Sequence, residues 1–246
     1  MTTATPADQR RLLDLQALDT KLDQLRHRRN ALPELARIAE LDAQIADLDA
    51  AIATSRTAVG DLRRELTKAE SDVQQVRDRA ARDQQRMASG IGSAKDLQAL
   101  QSEIDSLARR QGDLEEVELE VMERLESHEG ALSELTAAHA SLFNQRAEVQ
   151  GARDVAWGTI DTEAGQVQTA RDALAGSVPE SLIAIYERLR GKLGGFAVAS
   201  LRHGRSEGSG MVVPPIELAA IKATPEDQLV YCEESGRILV RGEDAF

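Results

Sequence analysis

Aromatic side chains are scarce in this chain: one Trp, two Tyr and three Phe among 246 residues. That is too few for an ordinary α/β core of this length, and it withholds the stacking surfaces on which single-stranded nucleic acids are usually held. A single cysteine excludes an internal disulfide. No stretch approaches the roughly 18 consecutive apolar residues of a membrane span, and the opening MTTATPADQRRLLDL lacks the apolar segment of a signal peptide. The expectation is a cytoplasmic chain with no membrane contact. Positive charge is short as well. Thirty Lys and Arg against 42 Asp and Glu leave a net charge of −12, which opposes general attraction to phosphate backbones or acidic bilayers. The deficit is uneven, with 22 Lys/Arg against 33 Asp/Glu in residues 1–185 but 8 against 7 in residues 186–241. Any nucleic-acid contact is expected from the second segment.

What remains is rich in Ala, Leu, Glu, Asp, Arg and Gln, the composition of long helices, and the expected shape is a rod. From Ile38 the apolar residues fall into register every seven: Ile38, Ile45, Ile52, Val59, Leu66, Val73, Ala80 and Met87 form one column. A second column holds Leu41, Leu48, Leu62, Ala69 and Val76, interrupted by Ser55 and Asp83. Such sustained heptads specify a coiled-coil seam. Upstream, Leu12, Leu15, Leu18, Leu22 and Leu25 mark another amphipathic helix, and Pro33 forces a kink or a restart with itself in the first turn.

The stretch SGIGSAKD, residues 89–96, contributes two glycines, after which the pattern resumes at Leu97, Leu100, Ile104 and Leu107 and runs to Val149. Two long helices joined by a short glycine-containing break bury both seams by folding back as an antiparallel hairpin, which would set Val76 near Leu107. Past Val149 the seam weakens through Gly151, Gly158, Gly165 and Gly176, and the helix is expected to fray or bend. A short helix then spans Leu182 to Leu189. Beyond Gly191 the character changes: AVASL, GMVV, QLVYC and RILVR read as strands, with PIELAAIKA as one helical excursion. The fold class is therefore mainly α, a long antiparallel coiled-coil hairpin with a small C-terminal zinc-ribbon-like β module. Residues 1–178 form the kinked helical hairpin with its tip near 88–94; residues 179–246 form the short helix and the module.

Ser206-x-x-Ser209 and Cys232-x-x-Ser235 repeat the spacing of a structural zinc site, with twenty-two residues between the pairs. Together with the heptad hairpin, the segment AKDLQALQSEIDSLARRQ after its tip and the PESLIAIYERLR helix, the stretches AVASLRHGRSEGSG and VYCEESGRILVR complete a chain that resembles the bacterial C4-type zinc-ribbon, coiled-coil hairpin family, a domain of unknown function. In that family the positions matching Ser206, Ser209, Cys232 and Ser235 are all cysteine, so the resemblance implies a degenerate ribbon. Serine hydroxyls ionise far above pH 7, and one thiol cannot hold a structural ion at useful affinity. His203, Glu207, Glu233 and Glu234 offer further donors but stand at no expected corner. The expectation is no metal and no cofactor. Natural loss and deliberate Cys→Ser replacement would leave the same residues. Such a small β core is marginal alone and is expected to dock on the helices.

Other motifs reduce to structure. Gly204-Arg-Ser206-Glu-Gly208 matches G-x-S-x-G, but no histidine follows His203 and no room remains for a hydrolase sheet. SGIGSAKD lacks phosphate-loop spacing. His27, His128 and His139 sit on helices without partners at metal spacing. Two basic clusters are candidate binding surfaces: Arg79, Arg82, Arg86 and Lys95 at the tip, for a protein partner, and Arg202, Arg205, Arg237 and Arg241 on the ribbon, for RNA or DNA. No acid, base or nucleophile in a workable constellation survives, so the chain reads as a non-enzymatic adaptor with protein partners at tip or ribbon end, and a nucleic-acid regulator as the alternative. The resemblance implies protein partners and admits nucleic acid, some relatives being linked to transcription factors and to secretion or flagellar systems. The apolar face at residues 12–25 is a candidate for pairing with a second chain.

Overall fold

The computed structural model describes residues 3–246. It contains α1 (Pro6–Asn30), α2 (Pro33–Ala88), α3 (Ala94–Ala175), α4 (Glu180–Lys192), β1 (Val198–Arg202), β2 (Arg205–Ser206), α5 (Pro215–Ala223), β3 (Val230–Tyr231) and β4 (Ile238–Arg241). The chain forms two compact units, Arg37–Val149 and Met1–Ala36 with Gln150–Phe246. A linear division at 178/179 follows the order of the chain, whereas these units are set by which apolar faces meet.

In the unit Arg37–Val149, α2 and α3 form the antiparallel hairpin. Seam positions Ile38, Leu41, Ile52, Val59, Leu62, Ala69, Val73 and Val76 of α2 are buried, as are Ile104, Leu107 and Val121 of α3. The heptad period places them on one stripe of each helix, so each seam is removed from water only by the other. Flanking ion pairs fix the direction: Asp42 with Arg146, Glu65 with Arg124, Arg63 with Glu129, and Arg79 with Glu103, so the partner number falls as the α2 number rises. Val76 and Leu107 line one groove near the turn, as the folded-back register requires.

In the other unit, α1 opens with Thr5, whose hydroxyl accepts the Asp8 N–H, and with Pro6, whose missing N–H is no loss at that position. Asn30 ends it, and α2 restarts with Pro33 as its first residue. The glycine-spaced part of α3 neither frays nor bends away. It stays helical to Ala175 because its partner has changed to α1. Trp157 Nε1 donates to the Arg29 carbonyl at 3.1 Å, the guanidinium carbons of Arg29 and Arg153 lie 4.4 and 4.6 Å from the Trp157 ring centroid, and Lys21 pairs with Glu163 at 2.7 Å.

The β module is one four-stranded sheet in the order β2-β1-β4-β3, with β1 and β4 parallel at the centre and both outer pairs antiparallel. The GMVV stretch makes no strand. Val212 forms one isolated bridge with Arg205, and Pro214 and Pro215, which have no N–H to offer a ladder, follow at once. One face of the sheet, Val198, Ile238 and Val240, packs with Leu12 and Leu15 of α1 and Leu182 and Tyr186 of α4. A second cluster joins Leu201, Val213, Ile221, Val230, Cys232 and Leu239. The apolar face of α1 is thus not free for a second chain: Leu12 and Leu15 are fully buried and Leu25 is 3% exposed within this unit.

Candidate functional site

The two segments at zinc-ligand spacing fold into twin turns. In the first, Ser206 N–H donates to the Met211 carbonyl at 2.9 Å and Gly210 N–H donates back to the Ser206 carbonyl at 2.8 Å. In the second, Cys232 N–H donates to the Arg237 carbonyl at 2.9 Å and Gly236 N–H to the Cys232 carbonyl at 2.8 Å. Gly210 and Gly236 have φ of 69° and 68°, a left-handed conformation that glycine adopts without a Cβ penalty. The second corner of each turn accepts a long bond from the backbone, Met211 N–H to Ser209 Oγ at 3.4 Å and Arg237 N–H to Ser235 Oγ at 3.5 Å. Gly208 admits no side chain, because a Cβ there would stand 2.6 Å from the Phe196 ring and 2.7 Å from Ala199 Cβ.

The turns have the form of zinc knuckles, but their side chains do not fit zinc. Ser206 Oγ is buried with no hydrogen-bond partner, and Cys232 is a buried free thiol in the apolar cluster. Ser209 is exposed and Ser235 half-buried. In the sheet order, β1 and β4 separate β2, which ends at Ser206, from β3, which Cys232 follows. Of the additional donors, the Glu207 carboxylate is occupied: it takes the Ser200 hydroxyl and lies 3.4 Å from Arg202. Among the described residues no three His, Cys, Asp or Glu side chains converge where they could hold an ion. Three hydroxyls and one thiol are a poor donor set for Zn²⁺, which takes thiolates, imidazoles and carboxylates.

Two of the ribbon arginines, Arg237 and Arg241, are held by backbone carbonyls, while Arg202 and Arg205 stay exposed with weaker contacts. Arg241 donates to the carbonyls of Ile221, Thr224, Pro225, Glu226 and Gln228, with distances from 2.6 to 3.2 Å, and so ties α5 to the central strand. Arg237 Nε donates to the Phe196 carbonyl at 3.0 Å, its guanidinium 5.5 Å from the Phe196 ring. Arg202 pairs with Glu207 and Asp244, both at 3.4 Å, and Arg205 donates to the Gly210 carbonyl at 3.0 Å.

The hairpin tip is built differently. Gly90 (φ 63°) and Gly92 (φ 146°) bracket Ile91, which is 85% exposed. Ser93 then starts α3 with a reciprocal cap: Asp96 N–H donates to Ser93 Oγ at 3.2 Å, and Ser93 N–H donates to the Asp96 carboxylate at 3.0 Å. The Ser93 hydroxyl and backbone bonds hold the Asp96 carboxyl below its usual range. Arg79 is paired with Glu103, and Arg86 lies 3.7 Å from Asp83. Arg82 and Lys95 are exposed and have no ion pair among the described residues. Arg79, Arg82 and Arg110 share the groove that Val76 and Leu107 line.

The sequence reading missed a polar cluster inside the α1 unit. Asp19, 2% exposed, accepts the Tyr186 hydroxyl at 2.6 Å and Arg171 Nε at 3.1 Å, with Arg190 at 3.7 Å. Burial and then the Asp19 carboxylate push the Tyr186 phenol well above its ordinary value. Burial opposes the charge on Arg171, but Asp19 and Glu187 outweigh it and raise its pKa. The group ties α1, α3 and α4 together around one buried carboxylate. The signal was present in the spacing: Gln9, Leu12, Gln16 and Asp19 fall on one helical face, so polar residues lay within an apolar stripe.

Comparison with known proteins agrees with this architecture. The family described as the CT398-like coiled coil hairpin domain matches residues 15–194, and the C4-type zinc ribbon domain matches residues 205–239. The uncharacterized protein Rv2229c of Mycobacterium tuberculosis (strain ATCC 25618 / H37Rv) is 36% identical over 237 residues, 96% of each chain. A solved structure from Mycobacterium smegmatis is 34% identical, with a TM-score of 0.87 over 98% of this chain and 100% of that one. CT398 from Chlamydia trachomatis is 19% identical, with a TM-score of 0.71 over 96% of this chain and 98% of its own, and shares the fold.

Proposed function

Because this chain belongs to the CT398-like coiled-coil hairpin family, we propose that it is a non-enzymatic adaptor that binds a protein partner at the hairpin tip. The observation that carries the reading is Ile91: a large apolar side chain 85% exposed on a two-glycine turn, with the exposed cations Arg82 near the end of α2 and Lys95 in the first turn of α3. The capped start of α3 fixes this turn, so the contact is preorganised and little conformational freedom is lost on binding. An apolar anchor on an end of the hairpin that also carries unpaired positive charge suits an acidic, partly apolar protein surface. Ser206, the serine of the G-x-S-x-G match, supports the non-enzymatic reading, since its hydroxyl is enclosed and has no base beside it. The nucleic-acid reading draws less support, because its four arginines already serve the ribbon.

The test is crosslinking capture from native cells with full-length protein, with crosslink positions mapped. An Ile91→Asp/Lys95→Glu variant should lose capture by about tenfold or more, the scale of an interface hot spot. Capture that persists in that variant, with crosslinks confined to the ribbon, would move the partner site to the other unit.

A further inference from the structure

We infer that the ribbon of this chain folds without a metal, and that α1 takes the place of zinc by clamping both hairpins of the sheet through the buried amides of Gln9 and Gln16. In a C4 ribbon the ion joins two knuckles that have little other reason to stay together. Here each knuckle closes on its own backbone with the matched pairs of hydrogen bonds around Ser206 and Cys232. The two halves meet through the short parallel β1–β4 ladder and the second apolar cluster, and the helix braces that junction from one face. Gln16, 3% exposed, accepts the Ala197 N–H at 2.7 Å and donates to the Gly195 carbonyl at 2.9 Å, seizing the chain where it turns into β1. Gln9, 2% exposed, donates to the Glu226 carbonyl at 2.8 Å, and the Ala4 N–H donates to Asp227 at 2.7 Å, seizing the chain just ahead of β3.

Leu12 and Leu15 lie between the two glutamines in sequence and pack with Val198 of β1, Leu229 beside β3, and Ile238 and Val240 of β4. One helical face therefore bonds the first hairpin at one end, the second at the other, and fills the sheet between them. A buried amide that satisfies backbone groups from a distant segment is costly to remove, since each partner is left unpaired away from water. The serines follow from the same arrangement: once the clamp sets the sheet, thiolates at the corners are dispensable. This assignment stands apart from the tip reading and does not depend on it.

The experiment uses full-length protein. Zinc content is measured by elemental analysis, and thermal unfolding is followed with and without a strong chelator. The expected results are zinc well below one ion per chain and a Tm that the chelator does not move; stoichiometric zinc whose removal lowers Tm would overturn the metal-free half. The clamp is read by amide exchange of β1 and β4 in Gln16→Met, which keeps the side-chain volume, and in Gln9→Leu/Gln16→Leu. Exchange there should quicken by about tenfold or more. Unchanged exchange in both glutamine variants would overturn the clamp.

Discussion

Ser206 takes a hydroxyl into the interior of the ribbon and gives it nothing to bond, with the residue only 1% exposed. A buried hydroxyl without a partner costs about 1–3 kcal/mol, a cost that a methyl group at the same place does not carry. Ser206→Ala should therefore raise Tm by about 2–4 °C, measured by calorimetry on the full chain. A lower Tm would mean that the hydroxyl does structural work through a partner. The four corner residues were legible in the sequence because zinc-ligand spacing is short and local. The fate of Arg241 was not, since its five carbonyl partners come from a segment more than ten residues away whose path only the folded chain defines. Gln9 and Gln16 escaped notice for a related reason: a polar residue on an apolar stripe announces burial but not which backbone it will meet.

At the scale of the helix pair, Asp83 interrupts the seam where α2 nears its end. It is 7% exposed, one carboxylate oxygen has no hydrogen bond, and its ionic neighbours among the described residues are the exposed ends of Arg79 at 3.9 Å and Arg86 at 3.7 Å. Those arginines are solvated, so they offset little of the cost of taking the carboxylate out of water. Asp83→Leu would complete the column that Val76 leaves open and should stabilise the hairpin by about 1–3 kcal/mol. The measurement is the urea midpoint, with the slope m unchanged; a fall in the midpoint would show that the two arginines hold the carboxylate more firmly than their exposure allows. The hairpin was legible from its heptads, and the tip from two glycines, because both signals repeat or sit within a few residues. The stretch of α3 after Val149 was misjudged because periodicity records the loss of one seam without naming its replacement. Ile160 and Trp157 face α1, a helix that precedes the hairpin in sequence.

Across the whole molecule, a net charge of −12 sets what the surface attracts. Nucleic-acid affinity grows with each phosphate that an available Lys or Arg neutralises, and the salt dependence reports that number, with a log-log slope of about −0.9 per phosphate on duplex DNA. The ribbon's apparent positive charge is largely spent: Arg241 and Arg237 are bound to carbonyls, and Arg202 faces Glu207 and Asp244. A phosphate approaching that face would compete with the carbonyls that hold Arg237 and Arg241 and with the carboxylates facing Arg202. The expected outcome is no saturable binding to single-stranded RNA or duplex DNA at physiological ionic strength, followed by fluorescence anisotropy across a salt series. Non-specific binders ordinarily reach dissociation constants of about 10⁻⁴–10⁻⁶ M under such conditions. Binding in that range, with a steep salt slope that Arg202→Glu/Arg205→Glu flattens, would restore nucleic acid as the ligand of the ribbon. A flat, featureless titration would leave the ribbon arginines to the internal contacts they already make.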